Sequence, residues 1–229
     1  MRINPKIALV VLAAVVSTSA YASSYTWNLV PGTSGAIGTT SSVMSNTGNI
    51  SLAFSGYTTA TSDVTASSTW LSGTWSAAAL YAMNGGTDNM GYGINAMTNH
   101  EITPTSVIAV DVSGLVANQG IKSLQVLVDN VNTAAGETYK IWGSSSIGGT
   151  LTLLYTGTQN NVTVNIPGFA GYKYISIAAA GISNSSVLLQ SLTASTVASP
   201  EPGTFALGLL AGAGLLSRTL VKRYKKRKA

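Results

Sequence analysis

Between Ser23 and Ser199, apolar side chains recur at every second position in short runs, and glycine, proline, asparagine or serine closes each run. In Asn161-Val162-Thr163-Val164-Asn165-Ile166, Val162, Val164 and Ile166 fall on one side of an extended backbone, with Asn and Thr on the other. Tyr172-Lys173-Tyr174-Ile175-Ser176-Ile177 repeats the pattern. Successive strand side chains point to opposite faces, so this period leaves one apolar and one polar face, as in a half-buried antiparallel sheet. Strands are expected at Tyr25 to Val30, Ile50 to Gly56, Ala78 to Met83, Ser106 to Val112 and Ser123 to Asp129. More are expected at Thr138 to Trp142, Leu151 to Tyr155, Asn161 to Ile166, Tyr172 to Ala178 and Val187 to Ala194. Gly148-Gly149, Gly157, Pro167-Gly168 and the Asn130 to Gly136 bracket supply the turns. With no amphipathic helical stretch between them, the body reads as all-β, an antiparallel β-sandwich or jelly roll.

The body, residues 23–199, is long enough for one domain with its own core. It contains no cysteine, so packing must hold it. The whole chain carries a formal charge of +5, which suggests an anionic partner. That charge sits at the two ends. Within 23–199, Lys122, Lys140 and Lys173 face Asp63, Asp88, Glu101, Asp111, Asp129 and Glu137, a net −3, and a nucleic-acid partner is not expected.

The stretch from Val30 to Thr69 is dense in Ser, Thr and Gly, and its one charge is Asp63. Long exposed loops or glycan acceptors are one reading, and strand surfaces made polar by hydroxyls instead of charge are the other, which composition favours. Histidine occurs once, at His100, beside Glu101. There is no Gly-x-Ser-x-Gly elbow and no second imidazole or thiolate, so neither a nucleophilic triad nor zinc is expected, and His100 reads as an exposed loop residue. The segment Gly91-Tyr92-Gly93-Ile94-Asn95-Ala96-Met97-Thr98-Asn99-His100-Glu101-Ile102 precedes a strand and reads as a structural turn. Oxygens of Asp88, Asn95, Asn99, Glu101 and Asp111 are candidates for Ca²⁺ or a sugar, although no D-x-D-x-D-G loop is present. Trp27, Trp70, Trp75 and Trp142 fit a sandwich core better than a sugar platform. No cofactor or metal is expected.

The two ends carry targeting chemistry. Arg2 and Lys6 precede an apolar run from Ile7 to Val16, and Ala20-Tyr21-Ala22 offers the small residues that a signal peptidase accepts. Residues 1–22 read as a signal peptide, with a mature start at Ser23, because the run is too short to span a bilayer. At the other end, Pro200 and Pro202 lock two φ angles and hold Ser199 and Glu201 extended. An apolar span from Thr204 follows, interrupted by Arg218 and extending to Val221, about 18 residues and enough for a short transmembrane helix. Lys222-Arg223-Tyr224-Lys225-Lys226-Arg227-Lys228 closes it, which predicts a cytoplasmic C-terminus. Gly208-x-x-x-Gly212 inside the span is a weak helix-pairing motif.

This order of Pro-Glu-Pro, apolar span and basic end resembles the PEP-CTERM sorting signal of exported Gram-negative bacterial proteins. The match falls on Pro200, Glu201 and Pro202, on Phe205 to Leu216, and on Arg218 with Lys222, Arg223, Lys225, Lys226, Arg227 and Lys228. Gly203-Thr204-Phe205 stands where the family commonly has a Ser-Thr-Leu-like continuation. The resemblance implies passage through the Sec translocon, transient anchoring in the inner membrane, cutting by an exosortase near the motif in residues 200–229, and release to the cell surface or matrix. On that reading the chain is a non-enzymatic surface or extracellular-matrix protein, with exopolysaccharide a candidate partner. A carbohydrate-binding or adhesive module and a secreted hydrolase stay open as alternatives.

Overall fold

The period-two runs become strands wherever two neighbours accept them. The computed structural model describes residues 22–59, 75–86, 89–97, 99–117 and 121–196. Its strands in chain order are β1 (Ser24–Asn28), β2 (Gly35–Gly38), β3 (Thr40–Met44), β4 (Ser51–Thr59), β5 (Trp75–Ala78), β6 (Leu80–Asn84) and β7 (Met90–Ile94). They continue with β8 (Ser106–Asp111), β9 (Ile121–Asp129), β10 (Thr138–Ser144), β11 (Thr152–Gly157), β12 (Val162–Asn165), β13 (Tyr174–Ala180) and β14 (Leu188–Thr196). A short helix, α1 (Ser113–Ala117), and two 3-10 turns, Thr133–Ala135 and Phe169–Gly171, lie in the connections.

Two seven-stranded antiparallel sheets result. One runs β12-β9-β14-β7-β6-β2, with β1 laid along the far half of β14; the other runs β11-β10-β13-β8-β4-β3, with β5 also on β4. From β7 onward the chain passes repeatedly from sheet to sheet, the one hairpin within a sheet being β10–β11.

The inner faces are the apolar ones that alternation demands. Ile141, Ile177 and Ile108 stand side by side in one sheet. Val126, Leu192 and Trp27 do so in the other. Phe54 meets Tyr92 across the gap edge-on, with ring centroids 5.8 Å apart. Trp27, fully buried, donates its indole N–H to the Ile50 carbonyl at 2.8 Å and so ties β1 to the start of β4. A tryptophan so placed contributes about 3–5 kcal/mol by the usual truncation to alanine. On the outer face of the first sheet, Thr26 meets Thr193, Gln125 donates to Asn165 at 2.9 Å, and the hydroxyls of Ser123 and Ser195 pair. Uncharged side chains thus supply the surface polarity there.

The expected strands all form, and others form outside their bounds, β2 and β3 among them, where composition favoured polar strand surfaces. β2 and β3 lie in the Ser/Thr-rich stretch, which therefore is not simply a long loop. Thr40 to Met44 pairs residue for residue with Met44's partner Ser51 through Ser55, so ladder hydrogen bonds order a segment whose side chains alone would not. Met90–Ile94, read above as part of a turn, is β7, paired along its length with β6. Trp142 is buried, as expected of a core residue, but its ladder neighbours Ser176 and Ala109 set it on the face opposite Ile141 and Ile177. Among the described residues no helix is long and apolar enough to cross a membrane, and the span expected at residues 204–221 lies outside them.

Candidate functional site

Gly93 explains why the chain can turn back on itself after β7. A Cβ at this position would lie 2.9 Å from both the His100 carbonyl carbon and the Glu101 Cα, and closer still to the His100 oxygen. Only a residue without a side chain lets the returning backbone settle there. Gly91, at φ 131°, passes the Leu189 carbonyl of β14 with the same lack of clearance. The Gly-x-Gly spacing is thus a packing device.

The turn set on Gly93 has a fixed conformation. His100 adopts a left-handed φ of 59°, and its ring stacks on Tyr81 at 4.0 Å between centroids and 13° between planes. Its Nδ1 lies 3.1 Å from the Asn95 carbonyl, so Nδ1 carries the proton and donates. His100 is half-buried, a correction to its reading as an exposed loop residue, because Tyr81 on the outer face of β6 holds the ring down. Two residues on, Ile102 exchanges backbone hydrogen bonds with Val187 at 2.8 and 3.0 Å.

Fixed on both sides, Glu101 turns inward and is 5% exposed. Ser186 hydrogen-bonds its carboxylate, while Oε2 has no protein partner. Burial pushes the carboxyl above the usual carboxylate range; the Ser186 hydrogen bond pulls it down and the nearby Glu137 pushes it up. Glu137, itself buried, accepts the Asn132 N–H at 2.8 Å.

A pocket of about 310 Å³ opens here. One wall comes from the β7–β8 connection: Met97, Asn99, Glu101, Thr103, Pro104 and Thr105. The other is Ser183–Ser186, from the β13–β14 connection. The walls are set from behind by hydroxyl bonds: Ser106 Oγ accepts the Thr103 N–H at 2.8 Å, and Ser185 Oγ accepts the Ile182 N–H at 3.1 Å. Gly181 backs directly onto the Gly136 carbonyl, which brings in the β9–β10 connection with Glu137. A larger hollow of about 400 Å³ lies at the opposite end of the sandwich, between Lys122–Leu124 and Asn165–Ala170. Its one charged residue is Lys122, and it has no buried polar side chain.

No protein-family model matches this chain, and neither the curated proteins nor the solved structures compared with it yield a match.

The fold separates the oxygens that the sequence put together. Glu101 lies ahead of β8 and Asp111 at its far end, so the whole strand, about 17 Å long at the usual rise, runs between them. Asp111 Oδ1 accepts the Ser113 N–H at 2.9 Å and shapes the entry to α1. Asn95 offers its carbonyl to His100, Asn99 is exposed at the pocket, and Asp88 lies outside the described residues. Among the described residues no three His, Cys, Asp or Glu gather as a metal site would require. Ala22 is exposed just before β1; Ala20, Pro200, Glu201, Pro202, Arg218 and Lys222 to Lys228 lie outside the described residues. Sequence reasoning found Glu101 but not Ser183–Ser186, whose nearness to Glu101 depends on a pairing between positions 102 and 187.

Proposed function

We propose that this chain is a non-enzymatic exported surface or extracellular-matrix protein whose jelly-roll body is delivered by a signal peptide and sorted at Pro200-Glu201-Pro202. One observation carries the reading: the fixed order of Pro-Glu-Pro, uncharged apolar span and basic end in residues 200–229. The span serves as a transient inner-membrane helix with its Lys/Arg end in the cytoplasm, and an exosortase cuts near the motif. The limits of the body support this. Among the described residues, strand pairing runs from Ser24 to Thr196, which matches the span expected of the mature body. The jelly-roll reading rests on strand order: β12-β9-β14-β7 face β11-β10-β13-β8, the arrangement of two nested Greek keys. The non-enzymatic reading rests on the state of the one histidine, whose ring is engaged by Tyr81 and by a backbone carbonyl.

The test is replacement of Pro200, Glu201 and Pro202 by alanine in a host carrying an exosortase, followed by fractionation and blotting of a C-terminal epitope. The variant is expected to stay uncut in the inner membrane, while an apolar span of equal length but different sequence is tolerated. Normal processing of the triple-alanine protein would leave a plain C-terminal anchor as the better account.

A further inference from the structure

The geometry points to the pocket between Glu101 and the Ser183–Ser186 loop as a binding site for a single neutral sugar residue. Four observations carry it. Glu101 lines the pocket, nine-tenths buried, and its Oε2 has no partner within the protein. A buried acceptor left unpaired is expensive, and a ligand hydroxyl is the group that relieves it. At its rim Asn99, Ser183 and Asn184 present exposed amides and a hydroxyl, groups that both donate and accept as sugar hydroxyls do. Pro104 and Met97 add an apolar patch for the C–H face of a ring. The volume, about 310 Å³, is at the small end of the ~300–1,000 Å³ of small-molecule sites, which admits one ring and excludes a buried chain.

Other ligand classes fit less well. Ca²⁺ takes six to eight oxygens and commonly several carboxylates. Here one carboxylate lines the pocket, and the next nearest, Glu137, holds the Asn132 N–H. An anion would meet the Glu101 charge with no cation among the lining residues. The larger hollow at the other end has no buried acceptor, and its one amide, Asn165, already accepts from Gln125, so it serves as an internal control.

The site goes beyond the sorting role and is tested without an exosortase, so either reading can fail alone. The full chain, held in a detergent with no sugar headgroup, is titrated with glucose, galactose, mannose and N-acetylglucosamine by saturation-transfer NMR. At least one should bind with a Kd of about 1 mM or tighter. Glu101→Ala should weaken it about tenfold or more, and Asn184→Ala, at an exposed position that leaves the fold alone, by several-fold. Lys122→Ala in the other hollow should leave it unchanged. Binding to none of the four sugars, binding retained in both pocket variants, or thermal protection by CaCl₂ but by no sugar would each overturn the assignment.

Discussion

Gly93→Ala tests the account of the turn most directly, because the added methyl meets main chain and not a side chain that can swing away. Ordinary contact begins near 3.4 Å, so a Cβ placed 2.9 Å from the His100 carbonyl carbon and Glu101 Cα forces the turn back by about half an ångström, and by more at the carbonyl oxygen. Overpacking of this kind costs about 1–3 kcal/mol. The retreat also strains the Ile102–Val187 bridge, whose two hydrogen bonds are 2.8 and 3.0 Å and contribute about 1 kcal/mol each. The entropy that alanine removes from the unfolded chain returns about 0.4–1 kcal/mol. The balance is a loss of about 3 kcal/mol, or roughly 6–12 °C in Tm for a body of this size. Thermal unfolding followed by circular dichroism reads it. Gly114→Ala is the control: its Cβ would meet nothing within 4 Å, and alanine inside α1 should hold or raise Tm. If Gly93→Ala melts within 2 °C of the parent, by a margin of about 0.5 kcal/mol, the close approach does not fix the turn.

Two further expectations concern buried ionisable groups. The Tyr139 hydroxyl is buried without a partner, and burial, with Tyr155 beside it, pushes its pKa up to about 12. Tyr139→Phe should therefore be neutral or stabilise by about 1 kcal/mol, and should remove one tyrosine ionising at about 12 from an ultraviolet titration; a clear loss of stability would show that the hydroxyl has a partner. Glu101 is raised when folded, so its contribution is fully present below the ordinary carboxylate value near 4.5 and is lost as pH rises through the folded pKa. Urea midpoints measured upward from that value should fall for the parent relative to Glu101→Gln, then run parallel; an unchanged gap across the range would refute the buried, strained carboxylate.

Much of the sandwich was legible because its signal is local. Val164 and Ile166 are buried and Thr163 and Asn165 exposed, as the alternation required, while Val162 is left exposed by its place on edge strand β12. β13 shows the limit of such reading. Ser176, Ala178 and Ala180 occupy the side that alternation marks as outward, yet they are buried, because β13 lies between β10 and β8 and its small side chains are closed over by larger neighbours. β3 and β7 were missed for a related reason. Ser and Gly, which make up much of β3 and β7, carry little strand preference of their own, and pairing with β4 and β6 decides their conformation. The pocket was half legible: Glu101 stood out beside the lone histidine, but a run of serines 80 residues later gives no sign that it faces a carboxylate.

β14 joins two ends of the molecule that would be loaded in opposite senses. The Ser183–Ser186 wall of the pocket immediately precedes it, and Thr196, where the chain runs on toward Pro200, terminates it about 26 Å away at the usual strand rise. A pull applied between the pocket end of the sandwich and Thr196 therefore acts along the strand axis. β9 lies antiparallel on one side through Thr196 and β1 on the other through Ser195, so the pull is a shear that loads the ladder rungs together. A peeling force would break them one at a time. The order of strands thus makes the sandwich stiff along β14, because the ladders on both of its sides must shear at once.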